Sequence, residues 1–192
     1  MIRTGWRQMG FRVLLLVPAL ATIAMAQAAD ADSAAALATR HRLNPPAGWH
    51  GPTPDELSAE PLRNELPTQY VEAKADFDGD GKEDHAALFT ADDGKSEAVF
   101  VKLSSRKSDE WMIAASITRS QPLMGVTMGI SVARPGVSKT VCGKGHRECK
   151  AGESPELNLK QSSIDFFKFE SSASVVYWDR QAKQFQRVWT SD

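Results

Sequence analysis

The chain has 192 residues, a formal charge of −1 and two cysteines, and 42% of its residues are hydrophobic. This composition is sufficient for one domain with a hydrophobic core. The near-neutral charge argues against nucleic acid as a partner, because proteins that bind it usually carry a basic face.

The N-terminus has the three parts of a secretory signal peptide. Three arginines precede an apolar run over residues 13–26, and A-x-A cleavage patterns follow at residues 24–26 and 26–28. The run is shorter than the roughly 20 residues that cross a bilayer, which favours cleavage over an uncleaved membrane anchor. Removal of residues 1–28 takes away three arginines and no acid, so the formal charge changes from −1 to −4. We therefore expect a periplasmic or secreted protein without stable membrane insertion after cleavage.

Residues 29–66 are predicted to form a helical and linker region. Residues 30–42 are rich in alanine and predict a short helix or a loose arm, whereas residues 43–54 contain four prolines and two glycines and predict an ordered linker. Thr53 has the character of an N-cap residue, since a proline and two acids follow it. The helix that it begins is predicted to reach the end of the region, with a disturbance near Pro61.

Residues 67–192 are predicted to form an antiparallel β domain, because short apolar runs alternate with polar turns. The predicted strands cover residues 70–75, 85–90, 97–103, 111–117, 126–132, 137–141, 157–160, 164–170, 174–178 and 185–190. The predicted fold class is therefore α+β, with short N-terminal helices and one antiparallel β-rich domain built as a sandwich or partial barrel.

The strongest chemical signature is the segment DFDGDGKED at residues 76–84. Its aspartates alternate with other residues, which turns the carboxylates toward one centre, and its two glycines allow a tight turn. The candidate ligands are the carboxylates of Asp76, Asp78, Asp80 and Asp84 and the backbone carbonyl of Lys82. Ca²⁺ takes six to eight oxygen ligands, so water would complete the shell.

Two interpretations of this loop are possible. Aspartate and glycine are common turn residues, so the segment could be a hairpin turn that binds no metal. Against this, four neighbouring carboxylates repel one another unless a cation is present. The sequence therefore favours a structural Ca²⁺ site.

The loop pattern disfavours an EF-hand, because Ala87 stands where an EF-hand needs an acid and the flanking segments are predicted strands. It resembles the calcium loop of FG-GAP and VCBS repeats, in which D-x-D-x-D-G-x-x-D joins two antiparallel strands. The resemblance covers the loop and its flanking strands, and it implies Ca²⁺ on the four aspartates. It departs at His85, where those repeats usually have an apolar residue. The chain contains one copy, so a full propeller is not implied. The chain also looks like small exported bacterial proteins that have one such loop and no settled activity.

Cys142 and Cys149 are separated by six residues. In an oxidising compartment this spacing favours a disulfide that closes a short loop. A zinc site would need more ligands than His146 alone, and a redox pair more often has two intervening residues. The basic run over residues 139–150 is either a solvated loop or a contact site for an acidic envelope component.

The sequence does not identify a catalytic group. Residues 104–107 match the S-x-x-K pattern, but they lie in a predicted polar turn, and no S-D-N or K-T-G accompanies them. We therefore expect a non-enzymatic binding or accessory protein of the cell envelope that recognises an unknown protein or envelope partner. The alternative is a calcium-supported hydrolase that acts on envelope material.

Overall fold

The computed structural model describes residues 43–63, 69–108, 110–123 and 125–191, and its regular structure is mostly antiparallel β-sheet. The expected signal peptide, the alanine-rich segment and the last residues of the predicted N-terminal helix lie outside the described residues.

The strands agree closely with those expected from the sequence. In chain order they are β1 (Trp49–His50), β2 (Glu72–Ala75), β3 (Asp84–Ala91), β4 (Ser96–Lys102), β5 (Met112–Thr118), β6 (Met128–Ala133), β7 (Gly136–Lys139), β8 (Glu156–Leu159), β9 (Ser163–Lys168), β10 (Ala173–Asp179) and β11 (Gln184–Ser191). Each of the predicted strands corresponds to one of β2–β11, and β1 is an addition within the proline-rich linker. The β-rich single domain is therefore confirmed.

The helix that begins after Thr53 is shorter than predicted. Helix α1 covers Pro54–Ser58, and a 3₁₀ turn follows at Pro61–Arg63. The Thr53 hydroxyl accepts from the N–H of Glu56, and the Glu56 carboxylate accepts from the N–H of Thr53, which forms a capping box. The α-helix stops early because Pro61 has no N–H and disfavours helical geometry in the residue before it. The N-terminal helices of the predicted α+β class are thus not confirmed.

The strands form two main antiparallel sheets and one separate ribbon. The first sheet has the order β1-β3-β4-β5, with β2 also paired to β3, and the second has the order β11-β10-β9-β6. Strands β7 and β8 form the ribbon. Strand β2 lies beside β6, and β5 lies beside β11. No ladder joins either of these pairs in the described part of the chain, so the sheets do not close into a barrel.

The two sheets share one hydrophobic core. Leu88 and Val99 of the first sheet and Ile130, Phe166 and Val176 of the second are fully buried in it. Strands β3 and β4 are also covered on their outer faces, where a second cluster includes Leu43 and Trp49. The other members of that cluster are Ala87, Phe89, Ala98, Phe100 and Trp111. Burial on both faces explains why these two strands have continuous apolar runs rather than an alternating pattern.

Candidate metal centre

The aspartate loop is the turn of a β-hairpin. It connects β2 to β3, and Ala75 at its start pairs with Asp84 at its end. Gly79 and Gly81 have φ angles of +75° and +86°, in the left-handed region that favours glycine. The loop is therefore attached directly to β3, a strand that is buried on both faces.

Asp76 organises the tip of the loop. Its Oδ1 accepts hydrogen bonds from the backbone N–H groups of Gly79 at 2.6 Å and Asp80 at 3.1 Å. Its Oδ2 accepts from the N–H of Gly81 at 2.9 Å. One half-buried carboxylate thus holds three successive N–H groups in a tight turn.

Asp84 anchors the base of the loop and is only 2% exposed. Its Oδ2 accepts from the N–H groups of Phe77 at 2.8 Å and Asp78 at 3.3 Å. Its Oδ1 accepts from the N–H of Ser104, which follows β4, at 2.8 Å. Asp84 therefore joins both sides of the loop to the neighbouring turn.

The other two aspartates differ in their exposure. Asp78 is 9% exposed, and its carboxylate accepts from the Asp80 N–H and the Ser105 hydroxyl. Asp80 is exposed, and its Oδ1 accepts from the N–H of Lys82 at 2.8 Å. Asp78 therefore belongs to the interior side of the loop and Asp80 to its solvent side.

Three of the carboxylates converge. Asp76, Asp78 and Asp84 each offer an oxygen, and these oxygens lie within 4.8 Å of one another. Two oxygens on opposite sides of one Ca²⁺ ion are up to about 5 Å apart, so the three can share an ion. A carboxylate oxygen has two lone pairs, so one that accepts an N–H can also bind a metal. The cluster can therefore hold a metal ion, and the ligand roles of Asp80 and of the Lys82 carbonyl remain predictions.

Four side chains that the loop motif does not indicate contact this loop. Besides Ser104 and Ser105, Gln161 donates to the Phe77 carbonyl at 3.0 Å, and Arg180 donates to the Gly79 carbonyl at 2.9 Å. The serines could have been found, because an antiparallel β3–β4 hairpin places the end of β4 beside the start of β3. The sequence has no comparable signal for Gln161 and Arg180, which approach from the second sheet.

The predicted disulfide between Cys142 and Cys149 is present. In the connection between β7 and β8, Arg147 pairs with Glu153, with one nitrogen–oxygen distance of 2.5 Å. The hydrogen bond from Arg147, together with one from the N–H of Lys150, lowers the pKa of Glu153 to about 2. Part of the basic run is therefore neutralised within its own loop.

Two histidines pair with carboxylates outside the cluster. His85, next to the aspartate loop, hydrogen-bonds to Glu72 at 2.8 Å. His50 lies between Glu56 at 3.0 Å and Asp92 at 2.9 Å. Burial disfavours the charged imidazole of His50, but the hydrogen bonds to the two carboxylates outweigh burial and raise its pKa. These contacts connect β1 to α1 and to the end of β3.

Comparison with known proteins does not assign the chain to a family. Family models, curated proteins and solved structures produced no match to the chain. Among the described residues, no helix has the length and apolar character needed to cross a membrane. The resemblance to the FG-GAP and VCBS calcium loop therefore depends on the loop residues themselves.

Proposed function

We propose that the protein is exported and binds one structural Ca²⁺ ion in the loop at residues 76–84. The proposal depends on one observation. One carboxylate oxygen from each of Asp76, Asp78 and Asp84 lies within 4.8 Å of the other two. Asp80, the Lys82 carbonyl and water would complete the shell of six to eight oxygens.

The chemistry of the cluster favours Ca²⁺ over softer metals. Its three members are all carboxylates, which are hard ligands that suit Ca²⁺ and Mg²⁺. Mg²⁺ demands near-ideal octahedral geometry and retains several waters, whereas Ca²⁺ accepts irregular oxygen sets. The carboxylates of this loop already accept backbone N–H groups, so the turn fixes the positions of their oxygens. Such a set of oxygen ligands is irregular rather than octahedral. The ion would remove the repulsion among the aspartates and stabilise the hairpin.

The proposed cellular role is that of a non-enzymatic binding or accessory protein in the periplasm or outside the cell. The disulfide is compatible with an oxidising compartment, and the leader-like N-terminus supports export. Loops carried on rigid sheets commonly recognise partners, and a metal would stiffen this loop for that purpose. No contact among the described residues specifically favours the hydrolase alternative.

The test is thermal unfolding of the mature, oxidised protein in chelator and in millimolar Ca²⁺. A ligand that binds only the folded state stabilises it by about 2.7 kcal/mol at one hundred times its dissociation constant. We expect Ca²⁺ to raise the melting temperature and the double variant Asp78→Ala/Asp80→Ala to lose this shift. Asp93→Ala is the matched control, because Asp93 also accepts an N–H two residues ahead in an exposed turn.

The concentration range makes the test decisive. Extracellular calcium sites have dissociation constants up to the millimolar range. If about 10 mM Ca²⁺ leaves the melting temperature unchanged, the loop is a metal-free hairpin and the proposal fails.

A further inference from the structure

A depression of about 470 Å³ lies beside the aspartate loop. Asp78, Gly79 and Asp80 line one part of it, and the cations Arg106, Arg180 and Lys183 line another. Trp178 also borders the depression. The surface therefore combines the exposed side of the proposed calcium loop with three positive charges.

The cations come from two separate turns. Arg106 lies in the turn after β4, and its guanidinium is 6.0 Å from the centre of the Trp178 ring. Arg180 and Lys183 lie in the turn between β10 and β11, which Asp179 stabilises by accepting two backbone N–H groups. Arg180 is further fixed by its hydrogen bond to the Gly79 carbonyl. The three charges are thus brought together by tertiary structure.

None of these three cations forms an ion pair with a carboxylate in the part of the chain that the structure describes. This distinguishes them from Arg119 and Arg147, which pair with Glu97 and Glu153. Guanidinium groups bind phosphate and sulfate through paired N–H donors, and a lysine ammonium adds a point charge. The depression therefore has the chemistry of an oxyanion site.

The charge of this region depends on the metal. Four aspartates and three cations leave a net charge of −1, and one Ca²⁺ ion changes it to +1. A bound divalent ion is often the largest local charge in such a site. Phosphate oxygens can also serve as ligands to such an ion beside protein carboxylates. Ca²⁺ in the loop would thus make the region less repulsive to an anion than the metal-free loop.

We propose that this depression binds a phosphate or sulfate group and that Ca²⁺ in the loop strengthens this binding. The inference rests on the proposed calcium site and deepens it by assigning the class of ligand that the site recognises. Because coupling between two sites is reciprocal, the oxyanion must also raise the affinity for Ca²⁺ by the same factor.

The experiment is a titration of the mature, ¹⁵N-labelled protein with glucose 6-phosphate, followed by two-dimensional NMR. One sample contains saturating Ca²⁺, and the other is stripped of metal in chelator-free buffer. We expect saturable shifts at residues 104–106 and 179–183. Affinity should fall at least fivefold without Ca²⁺, the lower end of typical coupling.

Charge variants test the oxyanion site in the depression independently of the calcium site. Arg106→Gln/Lys183→Gln should weaken binding of the ester at least fivefold while the Ca²⁺-dependent rise in melting temperature persists. Arg134→Gln/Lys139→Gln is the matched control, because it removes one arginine and one lysine that are exposed on the chain segment from β6 to β7. It should leave binding of the ester unchanged.

A second arm distinguishes the two sources of the oxyanion. If a lipid headgroup supplies the oxyanion, the protein should co-sediment with phosphatidylglycerol vesicles in the presence of Ca²⁺. The variant Arg106→Gln/Lys183→Gln should then remain in the supernatant. If a soluble ester supplies it, glucose 6-phosphate binds and the vesicles do not sediment the protein. Either result supports the shared chemistry.

Three results would overturn the inference. The first is a Ca²⁺-dependent melting shift with no saturable response to ester or vesicles, which removes the subsite and leaves the calcium site intact. The second is equal weakening in the control variant, which indicates non-specific charge attraction. The third is equal binding of the ester with and without Ca²⁺, which removes the coupling.

Discussion

Replacing Asp84 with alanine is expected to destabilise the protein strongly even when no metal is bound. The substitution removes the acceptor of three backbone N–H groups, those of Phe77, Asp78 and Ser104. The first two bonds are buried and the third is partly buried. An unsatisfied buried donor costs about 1–3 kcal/mol. Because water can reach the Ser104 N–H in part, we expect a total loss of about 3–5 kcal/mol.

This loss is large relative to the 5–15 kcal/mol that typically separates folded and unfolded states. It is measured by urea unfolding of the mature, oxidised protein in chelator, so that metal binding does not contribute. Asp84→Asn should lose less, about 1–2 kcal/mol, because one amide oxygen still accepts while the amide nitrogen cannot. Asp80→Ala is the control, since Asp80 is exposed and its removal should cost less than about 1 kcal/mol.

A loss of less than about 1.5 kcal/mol for Asp84→Ala in chelator would refute the anchoring role of Asp84, because it lies below the low end for two unsatisfied buried groups. A loss equal to that of Asp80→Ala would have the same meaning. Either result would mean that the loop N–H groups find other partners. A loss seen only in Ca²⁺ would assign Asp84 to the metal and remove its role in the metal-free hairpin.

Three other changes test separate parts of the structure. The raised pKa of His50 means that its stabilising contribution is complete below its ordinary value of 6.5 and is lost as the pH rises through the folded-state value. His50→Gln should therefore cost more at pH 5.5 than at pH 8.5 in urea unfolding, by less than about 1 kcal/mol because the site is partly exposed; an equal cost at both pH values contradicts this. Gly79→Ala should lower the melting temperature more than Gly81→Ala. Both replace a glycine that has a left-handed φ, but only the first brings a Cβ against the Arg180 guanidinium, which must move and lose its hydrogen bond to the Gly79 carbonyl; equal shifts would indicate that this hydrogen bond contributes little to stability. Removing the disulfide with Cys142→Ala/Cys149→Ala should cost about 2–3 kcal/mol in urea unfolding, from the loop-closure entropy of a short loop in the unfolded chain; an unchanged midpoint would contradict this entropic contribution.

The strands could be predicted from the sequence because their signals are local. Apolar runs and polar turns identify β2–β11, and hairpins follow where the connections are short. The order of the second sheet could not be predicted in this way. Strand β6 pairs with β9, and the β7–β8 ribbon is inserted between them along the chain. The alternating pattern of β6 would suit pairing with β7, the next strand in the chain, or with β9, so only tertiary packing selects β9.

The burial of two charged side chains could also not be predicted, because their partners are distant in the sequence. Glu97 is 1% exposed near the start of β4 and accepts from the N–H groups of Thr127 and Met128 and from Arg119. Arg63 is equally buried and donates to backbone carbonyls, one of them that of Met128. Burial lowers the pKa of Arg63 to about 10. Composition alone would have placed both charges on the surface.

The candidate site was predicted only in part for the same reason. The acidic loop is a continuous segment, so its aspartates are visible in the sequence and their convergence follows from a local hairpin. The residues that surround it belong to three separate turns. Ser104 could be placed by hairpin register, but Arg180 could be placed only with knowledge of how the two sheets face each other.

The link between Arg180 and Gly79 has a consequence for the order of folding. The two residues are 101 positions apart in the chain, and Gln161 and Phe77, which also join the second sheet to the loop, are 84 apart. Contacts of such long range require both sheets to be in place, so we expect them to form late on the folding pathway. An anion bound by Arg180 in the depression would then stabilise interactions that are absent from the transition state. Anion binding should therefore prolong the lifetime of the folded protein by slowing unfolding, while the rate of folding stays nearly unchanged.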